Sequence, residues 1–216
     1  MRQRDKQIID DLYRFRCMSR DDVIDIHFSH LKNPVNSCNN VLKRLCRDKL
    51  IDRSPNFYPY VYFPSDKQIK KDSAKIPHFL EIVKVYKDMC QYKKPSVFIV
   101  EPKYGKGYME PDIFAIWKGA PFFIEVQRSV YSSEVMNEKI ERYLEFKASE
   151  LIKYESWQPV GKEIFPTVLF LTNVRYNLDE RLKVIQIRTI DEFMQKVTNQ
   201  DIVKNISQDG IKVRIG

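Results

Sequence analysis

The stretch Pro111–Gln127, PDIFAIWKGAPFFIEVQ, holds two runs of strand length rich in β-branched and aromatic residues, with Lys118-Gly119 between them. Short apolar runs flanked by turn residues read as buried strands, and a two-residue break ending in glycine suits a tight hairpin. The register then follows by arithmetic. Pairing Trp117 with Ala120 puts Asp112 directly opposite Glu125, with Cβ atoms about 5 Å apart. A four-residue loop pairing Trp117 with Phe122 instead puts Asp112 opposite Gln127, with Glu125 its diagonal neighbour. Either register keeps Asp112, Glu125 and Gln127 on one face, because residues two apart in a strand point the same way.

Two like charges opposed at the end of an apolar sheet are costly unless a cation or a proton resolves them. Mg²⁺ (or Mn²⁺) is the natural occupant, since it takes a few carboxylate oxygens plus waters and substrate phosphate, polarises a scissile phosphate and activates a water. Asp112 and Glu125 are the expected ligands. Glu81 on the preceding helix, and Glu101 or Glu110 ahead of the Pro-Asp pair, are candidates for a further one. Lys139 and Tyr143 lie one helical turn apart on a later helix, placed to contact a substrate phosphate. The plainer alternative makes Lys139 and Glu138 a solvated face, Glu138 and Arg142 an i,i+4 pair, and Asp112 a turn cap. Glu125 resists that account, because a lone carboxylate within PFFIEV is expensive to bury.

Outward from this hairpin, SVFIVEP, TVLFLTN and VIQIR supply three further strands. The periodicity predicts a largely buried helix over His78–Gln91, a long one over Glu134–Tyr154 and a late one near Thr189–Val197. The order α-β-β-β-α-β-β-α predicts an α/β (α+β) sandwich with a mixed sheet over residues 77–216.

The N-terminal third has different habits. Residues 1–76 carry 16 Lys/Arg against 10 Asp and no Glu, net +6 of the chain's +8, and no glycine precedes Gly105. An amphipathic helix is expected over residues 5–16, and a second capped by Ser19 and running to about Leu31. A third, SCNNVLKRLCRDKLI, has Val41, Leu42, Leu45, Cys46 and Leu50 on one side. A short aromatic hairpin around SPN follows. Three helices and a hairpin make a winged helix-turn-helix of residues 1–64, followed by a polar, basic linker, 65–76. In such modules the third helix enters the major groove, where Asn reads adenine and Arg or Lys reads guanine or holds phosphate. The candidate DNA contacts are Asn36, Ser37, Asn39, Asn40, Lys43, Arg44 and Arg47, with Tyr58 and Tyr60 in the wing. The alternative is a solvated basic face on a module used for dimerisation or docking.

Composition excludes several classes. With 43% hydrophobic and 31% charged residues the chain is neither disordered nor a bare coiled coil. No apolar run approaches the roughly 20 residues that span a bilayer, and MRQRDKQ opens no export signal. Four cysteines without CxxC spacing and three histidines complete no zinc pattern, so reduced thiols in a cytoplasmic protein are expected.

The sequence Pro111-Asp112, then Glu125-Val126-Gln127, then a helix carrying Lys139 and Tyr143, resembles the PD-(D/E)XK nuclease superfamily. The resemblance makes Asp112 and Glu125 its metal-binding acids and matches Glu81 to the acid of its first helix. Gln127 stands where that superfamily usually has a catalytic lysine, a departure some of its restriction enzymes share, and Lys139 is placed to replace that lysine from the helix. Gln127 would then position the attacking water. Together with LKRLCRDKLIDR, the aromatic wing, PHFLEI and KIERYLEF, the arrangement resembles the replication-relaxation proteins of plasmids and other mobile elements. That implies a DNA-binding role in plasmid replication or mobilisation. The expected partners are double-stranded DNA, other replication or mobilisation proteins and a second copy of the chain, though no segment marks a dimer seam. A non-catalytic regulator or replication accessory with an inert nuclease fold is the rival expectation, and Gln127 is its best support.

Overall fold

The computed structural model describes residues 1–66 and 69–198. Its first part runs α1 (Gln3–Phe15), β1 (Met18–Ser19), α2 (Arg20–His27), α3 (Pro34–Arg47), β2 (Ile51–Ser54) and β3 (Val61–Pro64). α1 buries Ile8, Leu12 and Phe15 on one side, the spacing of a core-facing helical stripe. Ser19 caps α2 as expected: its Oγ accepts from the Asp22 amide at 3.1 Å, and Asp22 accepts from the Ser19 amide at 3.0 Å. This reciprocal box satisfies two amides that a helix start leaves unpaired. α2 ends at His27 rather than near Leu31. α3 begins at Pro34, ahead of the expected start, because proline at the first helical position lacks only an N–H with no intrahelical partner. The three strands pair antiparallel in the order β1-β3-β2. The β2–β3 connection is the open loop 55–60, wider than a turn at SPN.

The second part opens with α4 (Ile76–Tyr92), and all five expected strands follow: β4 (Val97–Val100), β5 (Ile113–Trp117), β6 (Ala120–Val126), β7 (Thr167–Leu171) and β8 (Val184–Ile187). They form one mixed sheet in sequence order, antiparallel from β4 to β6 and parallel from β6 to β8. Between β6 and β7 lies α5 (Ser133–Ala148), then a 3-10 turn at Leu151–Tyr154. The helix expected to reach Tyr154 breaks where Glu150 takes a left-handed φ of 57°. Residues 190–198 are helical. The fold is therefore α+β, and no helix among the described residues is long and apolar enough to cross a membrane.

The β5–β6 hairpin takes the tighter of the two registers, with Trp117 paired to Ala120 and Ile113 to Ile124. Lys118 and Gly119 both have positive φ, 52° and 83°, as a type I′ turn requires. Period-two alternation then divides the sheet. Ile113, Ala115, Trp117, Phe122 and Ile124 join the core containing α4, whereas Phe114, Phe123, Val168 and Phe170 join the core containing α5.

The α4 core does not stop at the sheet. It continues through Tyr86, 5.2 Å from the Phe15 ring and 5.0 Å from the Phe98 ring, into the interior of the N-terminal part. Phe15 is fully buried, a contribution of roughly 2–3 kcal/mol. At its edge Lys87 of α4 pairs with Asp22 and Asp25 of α2, at 2.6 and 2.8 Å. The described part of 65–76 is also anchored: Tyr13 donates to Asp66 at 2.6 Å and Lys71 pairs with Asp52 at 2.8 Å.

Candidate functional site

Asp112 immediately precedes β5, and Glu125 is the penultimate residue of β6. Both lie on the α5 side, the parity of Phe114 and Phe123. They line a cavity of about 300 Å³ with His78, Gln127, Arg128, Tyr131 and Lys139. Every carboxylate oxygen in it has a protein partner. Asp112 Oδ1 lies 3.0 Å from His78 Nε2, and Asp112 Oδ2 accepts from the Val126 amide at 2.7 Å. Glu125 Oε1 accepts from the Tyr143 hydroxyl at 2.7 Å, and Oε2 accepts from Lys139 Nζ.

The electrostatics follow from burial. Glu125 is 2% exposed, and loss of water pushes its pKa up to about 7, with Lys139 pulling the other way and Asp112 adding to the rise. Burial opposes the charge on Lys139, yet Glu125 outweighs it and holds the ammonium above its usual pKa. Burial, then Glu125, pushes the Tyr143 hydroxyl well up, so it stays a donor. The bond to Asp112 raises His78 despite desolvation. Gln127 is held by its side-chain amide, which donates to Tyr176 Oη at 2.7 Å. Its Oε1 is buried with no hydrogen-bond partner among the described residues.

Of the expected chemical residues, the structure brings Asp112, Glu125, Gln127 and Lys139 to one cavity, with Tyr143 beneath Glu125. Glu81 instead lines the adjoining cavity of about 260 Å³, which shares Gln127 and Arg128 with the first. Glu101 lies 3.6 Å from Arg16, and Glu110 pairs with Lys103. His78 and Tyr176 were not singled out from sequence. Each meets its partner across 34 and 49 residues of chain, so no local spacing marks them. Among the described residues no three His, Cys, Asp or Glu side chains stand close enough to hold an ion. The oxygen donors lining the cavity are the carboxylates of Asp112 and Glu125. That set fits Mg²⁺, a hard cation that uses few protein oxygens and keeps several waters.

On the N-terminal part, α3 buries Cys38, Leu42 and Leu45 and exposes Asn36, Asn39, Asn40, Lys43 and Arg47, with Ser37 half-buried. Arg47 pairs with adjacent Asp48 at 2.9 Å. Arg44 is otherwise engaged. Its guanidinium lies 2.8 Å from Asp5 and, against the effect of burial, helps hold that carboxyl below its usual pKa. Tyr58 is 95% exposed in the β2–β3 loop, and Tyr60 carries the Arg53 guanidinium 4.6 Å from its ring centre. The four cysteines are free thiols, and burial pushes Cys17 and Cys38 up to about 12. Neither of those two is a nucleophile near neutrality.

No family model, no curated protein and no solved structure matches this chain.

Proposed function

We propose that the chain is a DNA-binding protein of a mobile element, in which residues 1–64 act as a winged helix-turn-helix on double-stranded DNA. The part from α4 to β8 is then a PD-(D/E)XK-like domain that nicks or cleaves DNA with Mg²⁺ or Mn²⁺. The observation that carries the chemistry is the pairing of Asp112 and Glu125 across the ends of the hairpin, with Lys139 delivered to the same cavity from α5. The order α-β-β-β-α-β around that hairpin is the one the apolar periodicity of the sequence predicts. Topology and the exposed Asn/Lys face of α3 support the DNA-reading role. The mobile-element setting rests on the sequence resemblance alone.

In this reading Asp112 and Glu125 would hold the metal, which supplies charge to polarise a phosphate and acidify a water. Lys139 stays protonated and neutralises charge at the phosphate. Tyr143 orients Glu125 from below through its hydroxyl. His78 fixes Asp112, and Gln127 orients the attacking water.

The test is incubation with supercoiled plasmid in Mg²⁺, Mn²⁺ or EDTA, beside an Asp112→Ala, Glu125→Ala variant. Metal-dependent nicking that the variant loses, with DNA binding nearly intact, is the expected result. A second reading is favoured by the fact that all four carboxylate oxygens are already bonded within the protein. It makes the chain a non-catalytic DNA-binding regulator or replication accessory, the second part serving dimerisation or docking. Salt-sensitive binding without cleavage under any metal would establish that reading over the first.

A further inference from the structure

We infer that the carboxyl ends of β6, β7 and β8 form a groove for the sugar–phosphate backbone of one DNA strand, gripped by Arg128, Arg175 and Arg188 and leading away from the carboxylate cavity. The inference rests on the DNA-binding reading above and adds a path that reading does not contain.

The three strands are parallel and adjacent, and ligands of open α/β sheets sit outside the carboxyl ends of such strands. Arg128 follows β6 by two residues, Arg175 lies in the connection leaving β7, and Arg188 directly follows β8. The surface there is a chain of three hollows. The carboxylate cavity shares Gln127 and Arg128 with the second, of about 260 Å³. The second shares Asn173 and Arg188 with a third, of about 210 Å³, which Arg175 also lines. From β6 to β8 the path crosses two strand spacings, roughly 10 Å, room for neighbouring phosphates.

No guanidinium on this path is held in a close side-chain pair, although Arg188 is near enough to Glu192 to help lower its pKa. Arg128, Arg175 and Arg188 are exposed, and none of their side chains makes an ion pair or hydrogen bond among the described residues. By contrast Arg20, Arg44, Arg142 and Arg181 each hold a carboxylate. Of the acids that line the second and third hollows, Asp88 and Glu192 are already paired with Lys84 at 2.8 Å and Lys196 at 2.7 Å, leaving Glu81 as one carboxylate beside three guanidinium groups. Guanidinium groups present several N–H donors in a planar fork that matches phosphate oxygens. Three such groups at successive strand ends, beginning at the wall of the carboxylate cavity, would track one backbone rather than a single anion.

The test measures duplex affinity against salt concentration for the full chain. Each backbone phosphate neutralised contributes about 0.9 to the slope of log affinity against log salt, so the triple variant Arg128→Gln, Arg175→Gln, Arg188→Gln should lower the slope by about 2 to 3. The charge-keeping triple of Arg→Lys changes should retain most of it, and an equal fall there would overturn the inference. Lys43→Gln with Arg47→Gln on α3 separates the two claims. If that variant lowers the slope and the arginine-to-glutamine triple leaves it unchanged, the groove is overturned and the DNA-binding reading stands. Wild-type protein with no salt-dependent DNA binding would overturn both.

Discussion

Replacing Glu125 with glutamine keeps the shape of a buried side chain and removes its charge. Glu125 is 2% exposed, and burial lifts its pKa from the ordinary 4.5 to about 7 in the folded protein. Between those values the folded form holds a proton that the unfolded chain has released, so stability falls as pH rises through the interval. At about 1.36 kcal/mol per unit, the loss approaches about 3 kcal/mol once the pH exceeds 7. Glu125→Gln lacks that contribution at every pH, while its amide oxygen still accepts from Lys139 or Tyr143. Asp112, the main cause of the raised His78, is unchanged in both proteins, so the histidine's own titration largely cancels in the difference. Urea unfolding at intervals from about pH 4.5 to 7.5 gives that difference directly. The unfolding free energy of Glu125→Gln minus that of wild type should grow by about 3 kcal/mol across the range. Two parallel pH profiles would refute the claim that burial outweighs Lys139 and Tyr143 at Glu125.

Three further outcomes follow from contacts elsewhere. Arg44→Gln strips the guanidinium from buried Asp5 and should cost about 1–3 kcal/mol in urea unfolding, with Asp5→Asn in the same chain recovering part of it; additive losses would contradict the pairing. Ser19→Ala removes the α2 cap and should cost about 1 kcal/mol, read as a lowered thermal midpoint. Phe15→Ala empties a site between Tyr86 and Phe98 and should cost about 3–5 kcal/mol. It should also speed proteolysis within residues 69–75, and an unchanged cleavage rate there would argue that the two parts are held together elsewhere.

What the sequence made legible was what local chemistry determines. The β5–β6 hairpin could be read because its turn pair and its strand-length runs agree, and arithmetic on that turn narrows the partner of Asp112 to Glu125 or Gln127, a choice the two-residue turn resolves in the structure. Ser19 could be read because a cap is decided within three residues. What stayed hidden depends on distant chain. Nothing near His78 says that Asp112 will accept from it, and Arg44 looks like one more basic residue on α3 until α1 brings Asp5 beneath it. Glu81 has the right charge on the right helix, yet the turn it occupies faces the neighbouring hollow. The polar composition of 65–76 reads as a linker but gives no sign of the partners, Tyr13 and Asp52, that hold Asp66 and Lys71 to the N-terminal part.

The apolar core that runs from Ile8 to Met194 also governs how this chain comes into being. Its contacts join residues far apart in the chain, Phe15 with Phe98 and Trp117 with Phe193 among them, and such distant pairings form late and slow folding. During synthesis α1 emerges before α4, with the side of Phe15 that Tyr86 will cover still bare. It remains so until α4 and then β4 have been made. Nascent chains are most prone to association while such surface waits. The chain should therefore unfold as one cooperative unit despite its two recognisable parts, and its most vulnerable moment is the interval between translation of β3 and translation of β4.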